Sequence, residues 1–87
     1  MAFVYVFHGE GARFAAAVYS TLEDAKADIA SNRMSGILTA YPLDQTVYAY
    51  VVNEGLFKGK DDPEPHYIQR FTSAYMEHFH FVDGVLN

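Results

Sequence analysis

The 87-residue chain contains no cysteine. That excludes a disulfide scaffold, a thiol nucleophile and any zinc site built on thiolates. Basic residues are scarce: six lysines and arginines face eleven aspartates and glutamates, so the formal charge at pH 7 is −5 with histidine neutral. A general nucleic-acid binder needs a cationic surplus to neutralise phosphate, so this balance argues against one and favours a basic protein partner. Long apolar runs are missing as well. No segment approaches the roughly 20 apolar residues a membrane span requires. The N-terminal apolar stretch has no lysine or arginine before it and is broken by His8-Gly9-Glu10, unlike a secretory signal. The expectation is a cytoplasmic protein with no membrane partner.

What is present is apolar and aromatic. Hydrophobic residues make up 51% and aromatics 16% of the chain, enough to bury a core. The length allows one domain, spanning residues 1–87. A domain of this size buries only about 60–65% of its unfolded surface, so a partner can contribute to its stability. The charged stretch 58–65 holds two prolines and five charged side chains and reads as a surface loop within that domain.

Residues 3–7 are aromatic and β-branched, as in a strand. Gly9-Glu10-Gly11 marks a reversal, and 13–19 reads as the hairpin partner. Ser20 followed by Glu23 fits a capping box. Leu22, Ala25 and Ile29 recur at helical spacing, which predicts a helix over 22–32. A third strand is expected over 37–41, stopped by Pro42.

Residues 46–53 admit either a strand, by propensity, or a helix. Asp44 offers an N-cap, Val47/Val51 and Tyr48/Val52 pair at i, i+4, and Gly55 fits the position after a C-cap, so the short helix is preferred. Residues 71–82 alternate, and their second half, 76–82, is the better strand, closed by Asp83-Gly84. The result is an α+β domain: a mainly antiparallel four-stranded sheet with two helices on one face, in the order β-β-α-β-α-β. Phe3, Phe7, Phe14, Phe71, Phe79 and Phe81 are core candidates.

Motifs for catalysis are absent. No serine stands in a nucleophile elbow, and His8-Gly9-Glu10-Gly11 lacks the third glycine and helix start of a dinucleotide fold. No catalytic residue, cofactor or metal site is assigned, and the chain is not read as an enzyme. The rival reading is a small metal-binding enzyme or sensor. His78 and His80 would project from one face of a strand, with His8 approaching from the end of the first strand and Glu10, Glu77 or Asp83 supplying a carboxylate. The plainer account puts both histidines on the less buried face while Phe79 and Phe81 fill the core.

The acidic loop offers another surface. Asp61, Asp62 and Glu64 beside two prolines form a stiff carboxylate cluster that can meet lysines and arginines, and Asp44 and Glu54 extend it if the loop folds over them. Tyr48 and Tyr67 lie in the same half of the chain and supply amphipathic rings suited to an interface. These seven residues are the expected partner-binding set.

Three strings carry a resemblance across nearly the whole chain: Val4-Tyr5-Val6-Phe7-His8-Gly9-Glu10, Ser35-Gly36-Ile37-Leu38-Thr39-Ala40-Tyr41-Pro42-Leu43-Asp44, and Phe71-Thr72-Ser73-Ala74-Tyr75-Met76-Glu77-His78-Phe79-His80. Together they resemble a family of small bacterial domains of unknown function that look like immunity proteins of contact-dependent growth inhibition or related toxin systems. The resemblance implies an antitoxin that binds a cognate toxin, expected to be a basic nuclease, and blocks its active site. It implies no catalytic residues.

Overall fold

The computed structural model describes residues 2–71 and 73–87. Strand β1 (Phe3–Gly9) is the aromatic, β-branched run expected there, and it pairs antiparallel with β2 (Ala17–Tyr19). The second strand is shorter than the 13–19 segment suggested. Ala16 still donates to the Phe7 carbonyl at 2.8 Å, but the chain before it bows outward and leaves Phe14 76% exposed rather than in the core. Alanine at 15 and 16 gives that segment little side-chain surface with which to hold a ladder.

Helix α1 (Leu22–Ser31) follows. Its cap is Thr21, not Ser20: the threonine hydroxyl accepts from the Asp24 backbone N–H at 3.1 Å. Ala25 and Ile29 are wholly buried beneath it. Strand β3 (Gly36–Pro42) then pairs with β1 along its full length, from Phe3↔Pro42 to Gly9↔Gly36. Pro42 therefore lies within the strand and not beyond it.

Residues 47–53 are helical, forming α2 (Val47–Asn53). The Thr46 hydroxyl caps it by accepting from the Ala49 N–H at 2.9 Å, while Asp44 sits in the preceding turn with φ 62°. Gly55, at φ 73°, ends it: Gly55 N–H donates to the Val52 carbonyl and Leu56 N–H to that of Val51. Tertiary burial of Val51 and Tyr48 decides what propensity alone left open. A short third helix, α3 (Pro65–Gln69), begins on proline, whose missing N–H costs nothing in a first helical turn. A single 3₁₀ turn, Ser73–Tyr75, leads to β4 (His78–Val82). Of the alternating 71–82 segment, Thr72 lies outside the described residues.

Asp83-Gly84 does not end the sheet. With φ of 50° and 84° the pair makes the tight reversal that Asp-Gly favours, and β5 (Val85–Leu86) returns along β4. Among the described residues the α+β domain thus has one antiparallel sheet of five strands, ordered β2-β1-β3-β4-β5, and three α-helices, against the four strands and two helices expected. The register aligns Ala17, Phe7, Leu38 and Phe79 across the sheet, and α1 covers that row, burying Phe7, Leu38 and Phe81 with Ala25 and Ile29. The edge-on pair of Phe3 and Tyr50 brings α2 onto the same face.

Candidate functional site

Two surfaces result, one on the helical side and one on the bare side of the sheet. On the helical side, Tyr48 is a core residue, only 8% exposed. Its hydroxyl accepts from the Lys60 backbone N–H at 2.8 Å, which pins the start of the acidic loop to α2. Tyr67 packs edge-on against Tyr48 with centroids 5.6 Å apart, and the Lys60 ammonium lies 4.0 Å from the Tyr67 ring centre. Phe71 meets Tyr48, Phe57 and Tyr75, so the segment after α2 is held by an aromatic cluster. Tyr48 therefore supports the surface from beneath and has little area of its own to offer.

Of the other expected residues, Asp61, Asp62 and Glu64 are exposed on one loop that ends at the start of α3. Asp62 takes φ 54°, a left-handed turn position that aspartate tolerates. Asp44 and Glu54 are also exposed but flank opposite ends of α2, with about 10 Å of helix between them, so the two do not form one tight cluster.

The loop is also less uniformly acidic than its sequence suggested. A shallow depression of about 490 Å³ beside it is lined by Lys60, Glu64, His66, Tyr67, Arg70 and Phe71. Arg70 Nη1 donates to His66 Nε2 at 3.0 Å; arginine has no acceptor, so this ring nitrogen must accept. The cations here were not singled out from sequence, although the i, i+4 spacing of His66 and Arg70 on a helix was the available signal.

The second surface is the sheet face opposite the helices. On β1 its outward positions are Val4, Val6 and His8; β3 adds Ile37, Thr39 and Tyr41. His78, His80 and Val82 follow on β4, with Val18 and Val85 on the flanking strands. The histidines thus lie outward while Phe79 and Phe81 turn inward. Among the described residues, the turn at 73–75 reaches its margin through Ala74, and no helix covers it.

His8, His78 and His80 line one shallow depression of about 370 Å³ on this face, but they do not converge on a single point. His8 and His80 flank Ile37 in the register, two strand spacings or about 10 Å apart. His8 Nε2 lies 3.0 Å from the Ala12 carbonyl, and His78 Nδ1 lies 2.9 Å from that of Met76; carbonyls only accept, so both nitrogens donate. His78 and His80 do adjoin, with ring centres 5.5 Å apart. No group of three or more histidine, aspartate or glutamate side chains among the described residues is placed to hold a metal ion.

Chemically, the described residues bury no polar or charged side chain. Tyr19 is the clearest local electrostatic feature. Partial burial, with the Asp28 carboxylate accepting its hydrogen bond at 2.7 Å and adding negative charge, pushes its phenol up to about 12. That arrangement ties β2 to α1.

Residues 4–87 match the model of a domain of unknown function, DUF7710. The chain belongs to this family. The match covers every strand but the first residue of β1, and the family's description assigns no activity. No curated protein and no solved structure matches the chain. No helix among the described residues is long and apolar enough to cross a membrane.

Proposed function

We propose that this DUF7710 domain works by binding another protein, as an immunity protein that neutralises a basic nuclease toxin by covering its active site. One observation carries the reading: all eleven carboxylates are exposed, while no polar side chain among the described residues is buried into a catalytic arrangement. A catalyst needs preorganised polar groups shielded from water. A blocker of a cationic groove needs carboxylates at the surface and aromatic support beneath them. The loop bearing Asp61, Asp62 and Glu64, braced by Tyr48 and flanked by Tyr67, supplies both.

The test is capture of the partner followed by rescue. Tagged protein is incubated with lysate of its source cells at low and high salt, and a single stoichiometric basic protein is expected, with association slowing as salt rises. Co-expression should then restore growth to cells producing that partner. Replacing Asp61, Asp62 and Glu64 together by alanine should lower the on-rate about tenfold at low salt. An unchanged rate removes the loop from the interface, and a captured partner without toxicity overturns the immunity reading.

A further inference from the structure

The bare face of the sheet differs from the rest of the surface in one respect. Its outward strand positions hold valine, isoleucine, threonine, tyrosine and histidine, and no aspartate, glutamate, lysine or arginine. Val18, Ile37, Val82 and Val85 on it are 64%, 38%, 51% and 67% exposed. A solvated sheet face normally alternates to polar residues, so a charge-free one in a chain that is 20% charged marks an interaction surface.

The shape of the molecule gives the size of what is missing. A compact monomer of 9.8 kDa exposes about 5,200 Å², whereas this chain exposes 6038 Å². The excess over the whole surface, roughly 800 Å², is close to the ~800 Å² each partner contributes to a standard interface. The radius of gyration is 14.3 Å against about 12 Å for a compact chain of this length, because the molecule is elongated, 45 × 27 × 20 Å, with the sheet layer spread thin. A sheet with helices on one side is a half-finished sandwich.

Charge decides the occupant. At the outward strand positions a basic partner would find no carboxylate to pair with, Glu10 standing only at the rim beside Ile37, and an acidic one no lysine or arginine. A second copy of the chain carries −5 and is repelled from the acidic helical side, but here it meets no aspartate or glutamate at any outward strand position, only Glu10 at the rim. An isologous contact needs only that the patch be complementary to itself, which an uncharged β-branched surface allows. We propose that two copies of this protein pack sheet to sheet through this face, centred on Ile37 of β3, leaving both helical sides outward. The proposal concerns the face opposite the acidic loop and does not depend on what that loop binds.

Sedimentation equilibrium of the purified full chain, over roughly 1–300 µM, tests it; micromolar dimerisation is expected for an interface of this area. Ile37→Lys would put a lysine from each copy into the dry centre and should weaken the dimer by at least ~100-fold. Glu23→Lys, a larger charge change on α1, should leave it intact. Because Ile37 is exposed in the single chain, its variant should keep the wild-type far-ultraviolet circular dichroism. A wild-type monomer across the whole range overturns the proposal and leaves the face to a chain of different sequence. A dimer that survives Ile37→Lys, with the fold retained, overturns it equally, since the contact then lies elsewhere.

Discussion

Replacing Gly36 by alanine should be among the most damaging single-methyl additions to this protein, while the same change at its neighbour across the ladder should be mild. The two glycines face one another, Gly9 on β1 and Gly36 on β3. A Cβ at Gly36 would lie 2.3 Å from the His8 carbonyl oxygen, 2.8 Å from Phe7 Cζ and 2.9 Å from Gly9 Cα. Two of those three atoms are backbone and cannot rotate away. Ordinary contact would require β1 and β3 to part by about 1 Å at the Gly9↔Gly36 end of their ladder, or Phe7 to leave its place in the core.

Overpacking of this kind costs about 1–3 kcal/mol when side chains can yield, and backbone opposition puts the estimate at about 3 kcal/mol. A chain of this length has about 4–13 kcal/mol in total to lose. At Gly9, by contrast, the nearest atoms to a new Cβ are Ala12 Cβ at 3.7 Å and a Phe7 ring carbon at 3.9 Å, so Gly9→Ala should cost under about 1 kcal/mol. Urea denaturation followed by circular dichroism separates the two. With a slope of about 1–1.5 kcal/mol per molar, the midpoint of Gly36→Ala should fall by about 2–3 M and that of Gly9→Ala by less than about 1 M. Equal shifts for the two variants, or a Gly36→Ala midpoint close to wild type, would refute the steric argument.

Two further outcomes follow from side chains described above. Tyr19 has its phenol raised from the ordinary 10 to about 12, so the folded state holds the proton more tightly than the unfolded chain does. That contribution is fully present below pH 10 and is lost as pH rises towards 12; after solvent screening of this partly exposed pair it amounts to about 1 kcal/mol. Urea midpoints of wild type and Tyr19→Phe should therefore converge between pH 10 and 12, and a constant gap would contradict the assignment. Tyr48→Phe should cost about 1 kcal/mol by leaving the Lys60 N–H without its acceptor, and the Lys60 amide should exchange faster with solvent. Unchanged exchange there would show that the loop is held by other contacts.

The acidic loop illustrates why site residues were harder to read than secondary structure. The carboxylates at 61, 62 and 64 are visible in sequence, and they do share one loop. Their neighbours in space are Lys60, His66 and Arg70, brought alongside by the turn of α3 and by Tyr48 reaching twelve residues forward to Lys60. Phe14 was misread for a related reason: hydrophobicity marks it for burial, but the β1–β2 connection carries it past the end of the ladder. The open face was written in the sequence as an uncharged residue at every second position of 4–8, 37–41 and 78–82. Only the register of the sheet shows that these positions form one surface.

What the sequence determined by itself is local. Period-two runs produced β1, β3 and β4, helical spacing with a hydroxyl cap produced α1, and Gly55 ended α2; each is set by backbone sterics and neighbours within a few residues. Tertiary structure decided what local preference leaves degenerate. It made 47–53 a helix despite a strand-like composition, because Tyr48 and Val51 are buried only on a helical face. It let Asp83-Gly84 turn the chain back as β5, with Gly84 N–H bonded to Met34 and Asp83 N–H to Ser35 Oγ, partners some fifty residues away. Packing both longer helices against one face was also a tertiary outcome, because burial of apolar area depends on the whole assembled sheet and not on any single strand.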